Sequence, residues 1–175
     1  LFDERSEEIE NRFNVNLDGV EYDAKFVFET VGYNLEGNEV GASFGMAQLN
    51  KLTDNIKTRQ ENFAKQCEFF SKYDHLFSNP IEQHGANTAW LAFPILIKKE
   101  APFSRRQFQI YLEERNIQTR VVFTGNILRQ PMCNGIEKRT LESGYPNADS
   151  IMERGVLLPL HHGLTEDMFE RLHFT

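Results

Sequence analysis

The sequence predicts an α/β fold in which a long helix leads into an open sheet of about three strands flanked by helices. Three observations favour this fold. Apolar residues recur at spacings of three, four and seven over residues 49–70, as on one face of a helix. Three short runs rich in β-branched and aromatic residues follow, as in strands. Capped, amphipathic segments separate those runs, so strands and helices alternate along the second half of the chain.

Composition and charge exclude several classes of protein. Of the 175 residues, 40% are hydrophobic and 12% aromatic, which argues against disorder. The formal net charge is −7 and no run of Lys and Arg exceeds two residues, so nucleic acid and anionic membranes are disfavoured as main partners. No apolar run approaches the roughly 18 residues that span a bilayer. We expect a cytoplasmic protein in which Cys67 and Cys133, which fit no metal spacing, are free thiols.

The first thirty residues contain Gly19 and scattered aromatic residues but little sustained periodicity. We expect them to form an arm that packs on something outside this chain. The chain also begins at Leu1 without Met, so we expect a fragment of a larger protein.

The long helix carries an apolar stripe with a related face upstream of it. The stripe and this upstream face comprise Val40, Phe44, Ala47, Leu49, Leu52, Ile56, Phe63, Cys67 and Phe70. Gly41 and Gly45 lie near its start, and a glycine inside a helix costs about 1 kcal/mol relative to alanine. The pair therefore predicts close approach of a partner. That partner is another helix of this chain, a second subunit, or a ligand lying against the helix.

Three segments are predicted as strands. They are TAWLAFPILIK over residues 88–98, QTRVVF over residues 118–123 and GVLLPL over residues 155–160. Proline cannot donate a backbone hydrogen bond, so Pro94 predicts a sheet edge or a bulge in the first of them.

Helices are predicted between and after the strands. In FSRRQFQIYLEERN, Ser104 and Gln107 form a capping box. The buried face of this helix comprises Phe108, Tyr111 and Leu112. A short helix is expected over residues 148–154, after a polar loop region at about residues 124–146. Thr165 is expected to cap a last helix.

The segment FTGNILRQPM, residues 123–132, follows a predicted strand and is called the ligand loop below. It brings Asn126, Arg129 and Gln130 together. Arginine offers a rigid fork of donors for phosphate or carboxylate, and amides offer both a donor and an acceptor to sugar hydroxyls. A solvated loop arginine is the alternative.

The segment LPLHHGLTEDM, residues 158–168, places His161 and His162 between a strand end and a helix start. Either histidine is a candidate for acid–base chemistry or for donation to a substrate oxygen, and a purely structural turn is an equal alternative. Further metal ligands at a consistent spacing are missing from the sequence, so we expect no metal. The sequence also contains no nucleophile elbow, P-loop or G-x-G-x-x-G motif.

The stretch VGYNLEGNEVG, residues 31–41, is a turn that meets a helix start. Turn chemistry alone accounts for Asn34, because asparagine tolerates unusual backbone angles. The unpaired N–H groups of a helix start favour an anion, so a phosphate held by Asn34 is the alternative.

Four segments together resemble one family: YDAKFVFETVGYN, MAQLNKL, YLEERNIQTRVVFTGNILRQP and HHGLTEDM. They are similar to the C-terminal half of the DegT/StrS family of pyridoxal-phosphate-dependent nucleotide-sugar enzymes, over about residues 13–175. The YD-x-KF arm, the GYNL turn and TGN-x-x-RQP are most similar to the hexulose-3-dehydrase branch. That branch removes the C3 hydroxyl of CDP- or GDP-linked 4-keto-6-deoxyhexoses.

The resemblance implies the aspartate-aminotransferase fold (fold type I), a pyridoxal phosphate (PLP) cofactor and a homodimer with shared active sites. Residues 1–37 would end the large PLP-binding domain. Residues 38–73 would form the connecting helix, and residues 74–175 the small C-terminal α/β domain.

The resemblance also implies roles for single residues. Asn34 would bind the cofactor phosphate of the other subunit, and Tyr33 would shape the turn around it. Asn126, Arg129 and, more loosely, His162 would face the nucleotide sugar.

The resemblance places no catalytic residue in this chain. In the family's transaminases a Lys holds the cofactor as a Schiff base, and in its 3-dehydrases a His replaces that Lys. We expect this residue upstream of Leu1, since none of the eight lysines lies in an anchoring context, and we expect the chain alone to be inactive. Many relatives carry a basic residue after GYN-x, where this chain has Glu36. That departure opposes a substrate phosphate at the turn but leaves the neutral amide of Asn34 unaffected.

The predicted function is therefore a 4-keto-6-deoxyhexose 3-dehydrase of deoxysugar or lipopolysaccharide synthesis. One alternative is a nucleotide-sugar aminotransferase whose anchoring Lys lies upstream. Another is a stand-alone, non-catalytic binding or dimerisation module. Aromatic residues of the arm oppose the module, because in a free-standing chain they would lack a partner domain: Phe2, Phe13, Tyr22, Phe26 and Phe28.

Overall fold

The computed structural model of the chain describes residues 9–32 and 38–174. The helices are α1 Ile9–Arg12, α2 Glu39–Leu49, α3 Leu52–Ser71, α4 Arg105–Glu113, α5 Pro146–Arg154 and α6 Glu166–Phe174. The strands are β1 Val15–Leu17, β2 Val20–Tyr22, β3 Phe77–Ser78, β4 Ala92–Ile97, β5 Arg120–Val121 and β6 Gly155–Pro159. These elements form the α/β fold that the sequence predicts. Within the described ranges, no helix combines the length and the apolarity needed to cross a membrane.

The main sheet has four strands in the order β3-β4-β6-β5, and each neighbouring pair is antiparallel. The three predicted strands are confirmed as β4, β5 and β6. β3 is an additional strand that was not predicted, because two residues carry no periodic pattern.

Pro94 lies in β4, which is an inner strand between β3 and β6. The prediction that Pro94 marks an edge strand is therefore wrong. Pro94 pairs with Leu157 of β6. On the other side, β3 is so short that it reaches only Leu96 and Ile97. Within the described residues Pro94 thus has a strand partner on one side only, which is how a sheet tolerates a residue without a backbone N–H.

The main core lies between the sheet and helices α3 and α4. Alternate residues of β4 point into it, as the burial pattern of this strand shows. The buried core residues are Phe70, Phe77, Phe93, Ile95, Ile97, Leu112, Ile117, Val156, Leu158 and Leu160. The predicted capping box is confirmed at the start of α4, where Ser104 Oγ accepts from the N–H of Gln107 at 3.2 Å. The predicted cap of α6 is confirmed at Thr165, whose hydroxyl accepts from the N–H of Met168 at 3.4 Å.

The predicted connecting helix is two helices, because the chain breaks between α2 and α3 at residues 50–51. The apolar stripe is buried only toward its C-terminal end. Leu49 is 67% exposed, whereas Phe70 is 5% exposed, and α2 has no buried residue. A Cβ built on Gly45 would meet no atom within 4 Å. The prediction that the glycine pair allows another helix of this chain to pack closely is therefore wrong for the described residues. A second subunit or a ligand stays a prediction.

The arm folds against this chain, so the expectation that it packs on something outside is wrong for its described part. β1 and β2 form a hairpin closed by Asp18 and Gly19, both at positive φ, and an Asp-Gly pair is a known hairpin signal. Tyr22 is fully buried and Phe13 is 2% exposed. The hairpin shares a second hydrophobic cluster with β5 and α5. The aromatic arm therefore no longer argues against a free-standing module, although Phe2 lies outside the described residues.

A buried ion network fastens the arm to α4. The Nε of Arg12 donates to both carboxylate oxygens of Asp23 at 2.9 Å, and Nη1 donates to Glu113 at 3.2 Å. Nη2 donates to the Thr119 carbonyl at 3.0 Å. Burial opposes the charge of Arg12, but the two carboxylates outweigh it and raise the pKa of the guanidinium.

Candidate functional site

The ligand loop leaves β5 after Val121, which is 1% exposed and pairs with Val156 of β6. The loop then crosses α5 at close range. Gly125 has a φ of +69°, and a Cβ built on it would lie 2.7 Å from the Met152 side chain. Only glycine combines this backbone angle with this approach, so the path of the loop is set at Gly125.

Asn126 is used inside the loop. Its Oδ1 accepts from the N–H of Leu128 at 3.1 Å and caps the 3₁₀ turn Ile127–Arg129. Its Nδ2 donates to the Asp149 carboxylate on α5 at 2.8 Å, and the residue is 7% exposed. In this geometry Asn126 shapes the loop rather than pointing a free amide toward solvent.

Arg129 ties the loop to the hairpin of the arm. Nη2 donates to the carbonyls of Leu17 at 3.1 Å and Asp18 at 2.6 Å. Nη1 lies 3.5 Å from the Asp149 carboxylate, and 19% of the side chain is exposed. The alternative that Arg129 is a solvated loop arginine is therefore wrong. Its role toward a ligand stays a prediction.

Gln130 is a buried residue that the sequence analysis grouped with Asn126 and Arg129 but gave no role. It is fully buried, and its side-chain amide joins the loop to the arm. Oε1 accepts from the N–H of Phe28 at 3.1 Å, and Nε2 donates to the carbonyl of Phe26 at 3.2 Å. The N–H of Met132 donates to the Phe28 carbonyl at 2.8 Å, which adds a backbone bond to the same junction.

The solvent-facing side of this junction is aromatic. Phe123 is 65% exposed, and its ring lies edge-on to Phe26 at 6.0 Å and to Phe28 at 5.4 Å between centroids. The sequence places Phe123 at the end of the predicted strand over residues 118–123, whereas β5 ends at Val121. The structure offers it as an apolar platform beside the loop.

His162 lies at the other end of the sheet from the ligand loop. The loop follows the C-terminal end of β5, which pairs antiparallel with the N-terminal part of β6, whereas His162 follows the C-terminal end of β6. Six residues separate Val156 from His162, which is about 20 Å of extended chain. His162 is exposed, and the neighbouring His161 accepts from the N–H of Gly163 through Nδ1 at 3.1 Å. The structure thus brings Asn126 and Arg129 together but not His162 with them.

Tyr33 and Asn34 lie outside the described residues. Their described flanks are Gly32, which is exposed, and Asn38, whose Oδ1 accepts from the N–H of Gly41 at 2.7 Å and caps α2. The turn is therefore bounded by the arm on one side and a capped helix on the other.

Other reactive groups do not extend the site. Both cysteines are free, as predicted, and burial raises the pKa of the Cys67 thiol, which disfavours a thiolate nucleophile. Among the described residues, no three His, Cys, Asp or Glu side chains converge on a possible metal position.

The chain is similar in sequence to a sugar dehydratase and to a lipopolysaccharide biosynthesis protein. It is 31% identical over 149 residues to dTDP-4-dehydro-2,6-dideoxy-D-glucose 3-dehydratase of Saccharopolyspora spinosa, covering 85% of this chain and 32% of that protein. It is 28% identical over 146 residues to the lipopolysaccharide biosynthesis protein RfbH of Salmonella typhimurium, covering 83% of this chain and 33% of that protein.

The fold is also similar to a solved dehydratase. The structure of E. coli GDP-4-keto-6-deoxy-D-mannose-3-dehydratase with bound hydrated PLP matches with a TM-score of 0.65 and 26% identity, over 84% of this chain and 36% of that one. The chain thus spans about a third of the length of these proteins.

A family model covers almost all of the sequence, from residue 3 to residue 173. This match agrees with the resemblance carried by the arm, the turn and the ligand loop. The chain belongs to the DegT/DnrJ/EryC1/StrS aminotransferase family.

Proposed function

We propose that the chain is the C-terminal part of a PLP-dependent nucleotide-sugar enzyme, a 4-keto-6-deoxyhexose 3-dehydrase of deoxysugar or lipopolysaccharide synthesis. The observation that carries the proposal is similarity in both sequence and fold to proteins named as 3-dehydratases. The name of RfbH supports the link to lipopolysaccharide. By this proposal the catalytic residue lies upstream of Leu1, the chain alone is inactive, and the full-length enzyme works in the cytoplasm.

The turn residues fit a phosphate group. A neutral amide on Asn34 and a phenol on Tyr33 are suitable donors to the PLP phosphate. The approach to the turn is open where the structure describes it, because Thr30, Val31 and Gly32 are exposed and a Cβ on Gly32 would meet no atom within 4 Å. PLP, when bound, supplies an electron sink for reactions next to a sugar carbon. The role of this chain is to hold the phosphate and to shape the wall facing the sugar.

The nucleotide sugar would lie against the exposed side of the ligand loop. Arg129 brings a positive charge there, and its fork is already oriented by the carbonyls of Leu17 and Asp18. Asn126 holds the loop in the shape that presents Arg129. Phe123 offers an aromatic surface to the apolar face of a deoxyhexose or to a base. His162 would act only on a part of the substrate remote from this loop.

A homodimer would cover the exposed apolar residues of α2. Val40, Phe44, Met46 and Leu49 are between 67% and 81% exposed. These residues are distributed around α2 rather than along one face, and a helix that is apolar on all sides is ordinarily buried against a partner. In the full-length protein, Phe44→Asp is expected to shift the sedimentation coefficient from dimer toward monomer, because an interface would have to bury the new charge. The matched control is Ile81→Asp, at a 92% exposed position outside α2, and an unchanged dimer in both variants would contradict the α2 interface.

The main rival is a nucleotide-sugar aminotransferase, since the family is named for that activity. The two reactions differ in the upstream residue, Lys or His. The experiment is the absorption spectrum of the full-length protein with PLP, followed by borohydride reduction and dialysis. Cofactor that washes out after reduction supports the dehydrase. Cofactor fixed to the protein identifies a lysine anchor and the aminotransferase.

The second rival, a stand-alone binding or dimerisation module, gains from the burial of Phe13 and Tyr22 within this chain. Calorimetry of the 175-residue chain with a nucleotide sugar separates the two. A folded monomer that binds the sugar nucleotide without PLP would support the module. Absence of binding, together with activity of the full-length protein, would support the enzyme.

A further inference from the structure

A cavity of about 450 Å³ lies where the β1–β2 hairpin meets the start of α4. The start of α4 contributes Ser104, Arg105 and Arg106 to its wall, the hairpin contributes Glu21, and α5 contributes Glu153. No residue of the ligand loop lines it. A volume of this size is typical of sites that bind small molecules.

Arg105 is a buried cation with unused donors in the wall of this cavity. It is 5% exposed, and its Nε and Nη1 have no hydrogen-bond partner in the described part of the chain. Its Nη2 donates to the carbonyl of Glu21, which belongs to the same wall, and its Cζ lies 5.2 Å from the ring centroid of Tyr22. Burial lowers the pKa of the Arg105 guanidinium, because the charged form loses hydration. Buried charged groups are ordinarily paired, so two unused donors at a cavity wall favour an anion there.

The start of α4 adds donors to the same wall. The helix has nine residues, and the N–H groups of its first two, Arg105 and Arg106, have no partner within it. The cap at Ser104 accepts from the N–H of Gln107 instead. Unpaired N–H groups and the helix dipole favour an anion at a helix start. The Nε of Arg106 is also without a hydrogen-bond partner among the described residues, so two guanidinium groups and a helix start meet at one wall.

Two carboxylates line the cavity as well, those of Glu21 and Glu153. Glu21 lies 3.9 Å from the Nε of Arg106 with 58% of its side chain exposed, and Glu153 is exposed. Solvent screens exposed charges, whereas a buried charge is screened much less. An anion in the cavity would therefore be attracted by Arg105 more strongly than the two glutamates would repel it.

We propose that this cavity binds the phosphate group of a small phosphorylated molecule, with Arg105 as its main contact and with Arg106 and the start of α4 as further donors. A phosphate presents acceptor oxygens in several directions, which suits a guanidinium fork together with backbone N–H groups. The cavity is larger than a phosphate ion, so the rest of the molecule occupies the remaining space. The inference is independent of the proposed function, because it uses neither the turn nor the ligand loop.

The test is made on the full-length protein saturated with PLP, so that a cofactor phosphate site is already filled. Arg105→Met removes the guanidinium and keeps an unbranched side chain. Arg154→Met is the matched control, because Arg154 also has a buried Nε without a partner among the described residues and donates to one carbonyl, that of Ile97, at 2.6 Å, but does not line the cavity. Arg106→Gln and Glu153→Gln each change one charge of the wall at a position that is not buried.

The probes are inorganic phosphate, glycerol 3-phosphate as a minimal phosphorylated molecule, and acetate at equal ionic strength as the anion control. The measurements are the Kd of each probe by calorimetry and the thermal midpoint at increasing phosphate. Because a ligand that binds only the folded state stabilises it, phosphate should raise the midpoint of the unaltered protein and of Arg154→Met but not of Arg105→Met.

The Kd for phosphate should rise at least about ten-fold in Arg105→Met, against less than about two-fold in Arg154→Met. It should rise by about two- to three-fold in Arg106→Gln and fall by a similar factor in Glu153→Gln. Equal phosphate affinity in Arg105→Met and Arg154→Met, no binding by the unaltered protein, or equal binding of acetate would overturn the inference. If Arg105→Met does not fold, unchanged affinity in both Arg106→Gln and Glu153→Gln would overturn it instead. Weaker binding of glycerol 3-phosphate than of phosphate would overturn the assignment to a phosphorylated molecule in favour of the free ion.

Discussion

Asp23→Ala is expected to be among the most destabilising single substitutions in the described part of the chain. Asp23 is fully buried and Arg12 is 5% exposed, so neither charge is shared with solvent. Removing one partner of a buried pair leaves an uncompensated charge and costs about 3–5 kcal/mol. Here Glu113 remains 3.2 Å from Arg12, which places the expected loss near the lower end, at about 3 kcal/mol. For a chain of this size that corresponds to a fall in Tm of roughly 6–12 °C.

The assay is urea denaturation followed by circular dichroism, with Glu21→Ala as the matched control. Glu21 faces Arg106 at 3.9 Å with 58% of its side chain exposed, so this surface pair is expected to contribute less than about 1 kcal/mol. The double variant Arg12→Met with Asp23→Leu should recover part of the loss, because it removes the stranded guanidinium but leaves Glu113 without Arg12. A loss below about 1 kcal/mol in Asp23→Ala, or no recovery in the double variant, would refute the buried-network argument.

Three further predictions concern the loop and α6. Gly125→Ala should lower the free energy of unfolding by more than about 2 kcal/mol, because it adds a clash with α5 to the strain of positive φ. The control is Gly85→Ala, which has a φ of +81° in open space and therefore introduces the strain alone. Equal urea midpoints for the two variants would contradict the clash. Burial lowers the pKa of His173 below 6.5, and so does Lys72 to a smaller degree. The folded state therefore favours the neutral ring, and stability is full above about pH 6.5 and falls as the pH drops through the lowered pKa. His173→Gln should reduce the pH dependence of the urea midpoint between about pH 7 and pH 5. An unchanged pH dependence would exclude His173 as its source. Arg129→Ala should raise KM for the nucleotide sugar with the PLP spectrum intact, and should lose about 1–2 kcal/mol of stability through its two carbonyl contacts; lost stability with unchanged KM would leave it a purely structural role.

Sequence patterns within a segment correctly predicted the features that depend on neighbouring residues. The capping box at Ser104, the cap at Thr165 and strands β4 and β6 follow from neighbouring residues alone. The break between α2 and α3 was missed because apolar spacing continues across it. The separation of His162 from the ligand loop was also out of reach, because it depends on the antiparallel pairing of β5 with β6. Strand direction is set by the whole topology and leaves no mark on either segment.

The candidate site shows the same division between local and distant contacts. Spacing correctly grouped Asn126, Arg129 and Gln130 on one loop. It could not tell whether their polar groups face a ligand or the protein, because the partners of Arg129 and Gln130 lie more than one hundred residues away in the arm. Family resemblance predicts that the loop faces the nucleotide sugar, but it carries no information on which side chains hold the shape of the loop.

The contacts of this loop change how its variants should be interpreted. Arg129 and Gln130 each bond to the arm, so the arm and the loop stabilise each other's conformation. A substitution in the loop is therefore expected to disturb the arm, and one in the arm to disturb the loop. Effects on stability and on sugar binding should therefore be coupled for variants at this junction and separable for variants that contact only a ligand. Coupling, rather than the size of any single effect, distinguishes a residue that positions the site from one that binds within it.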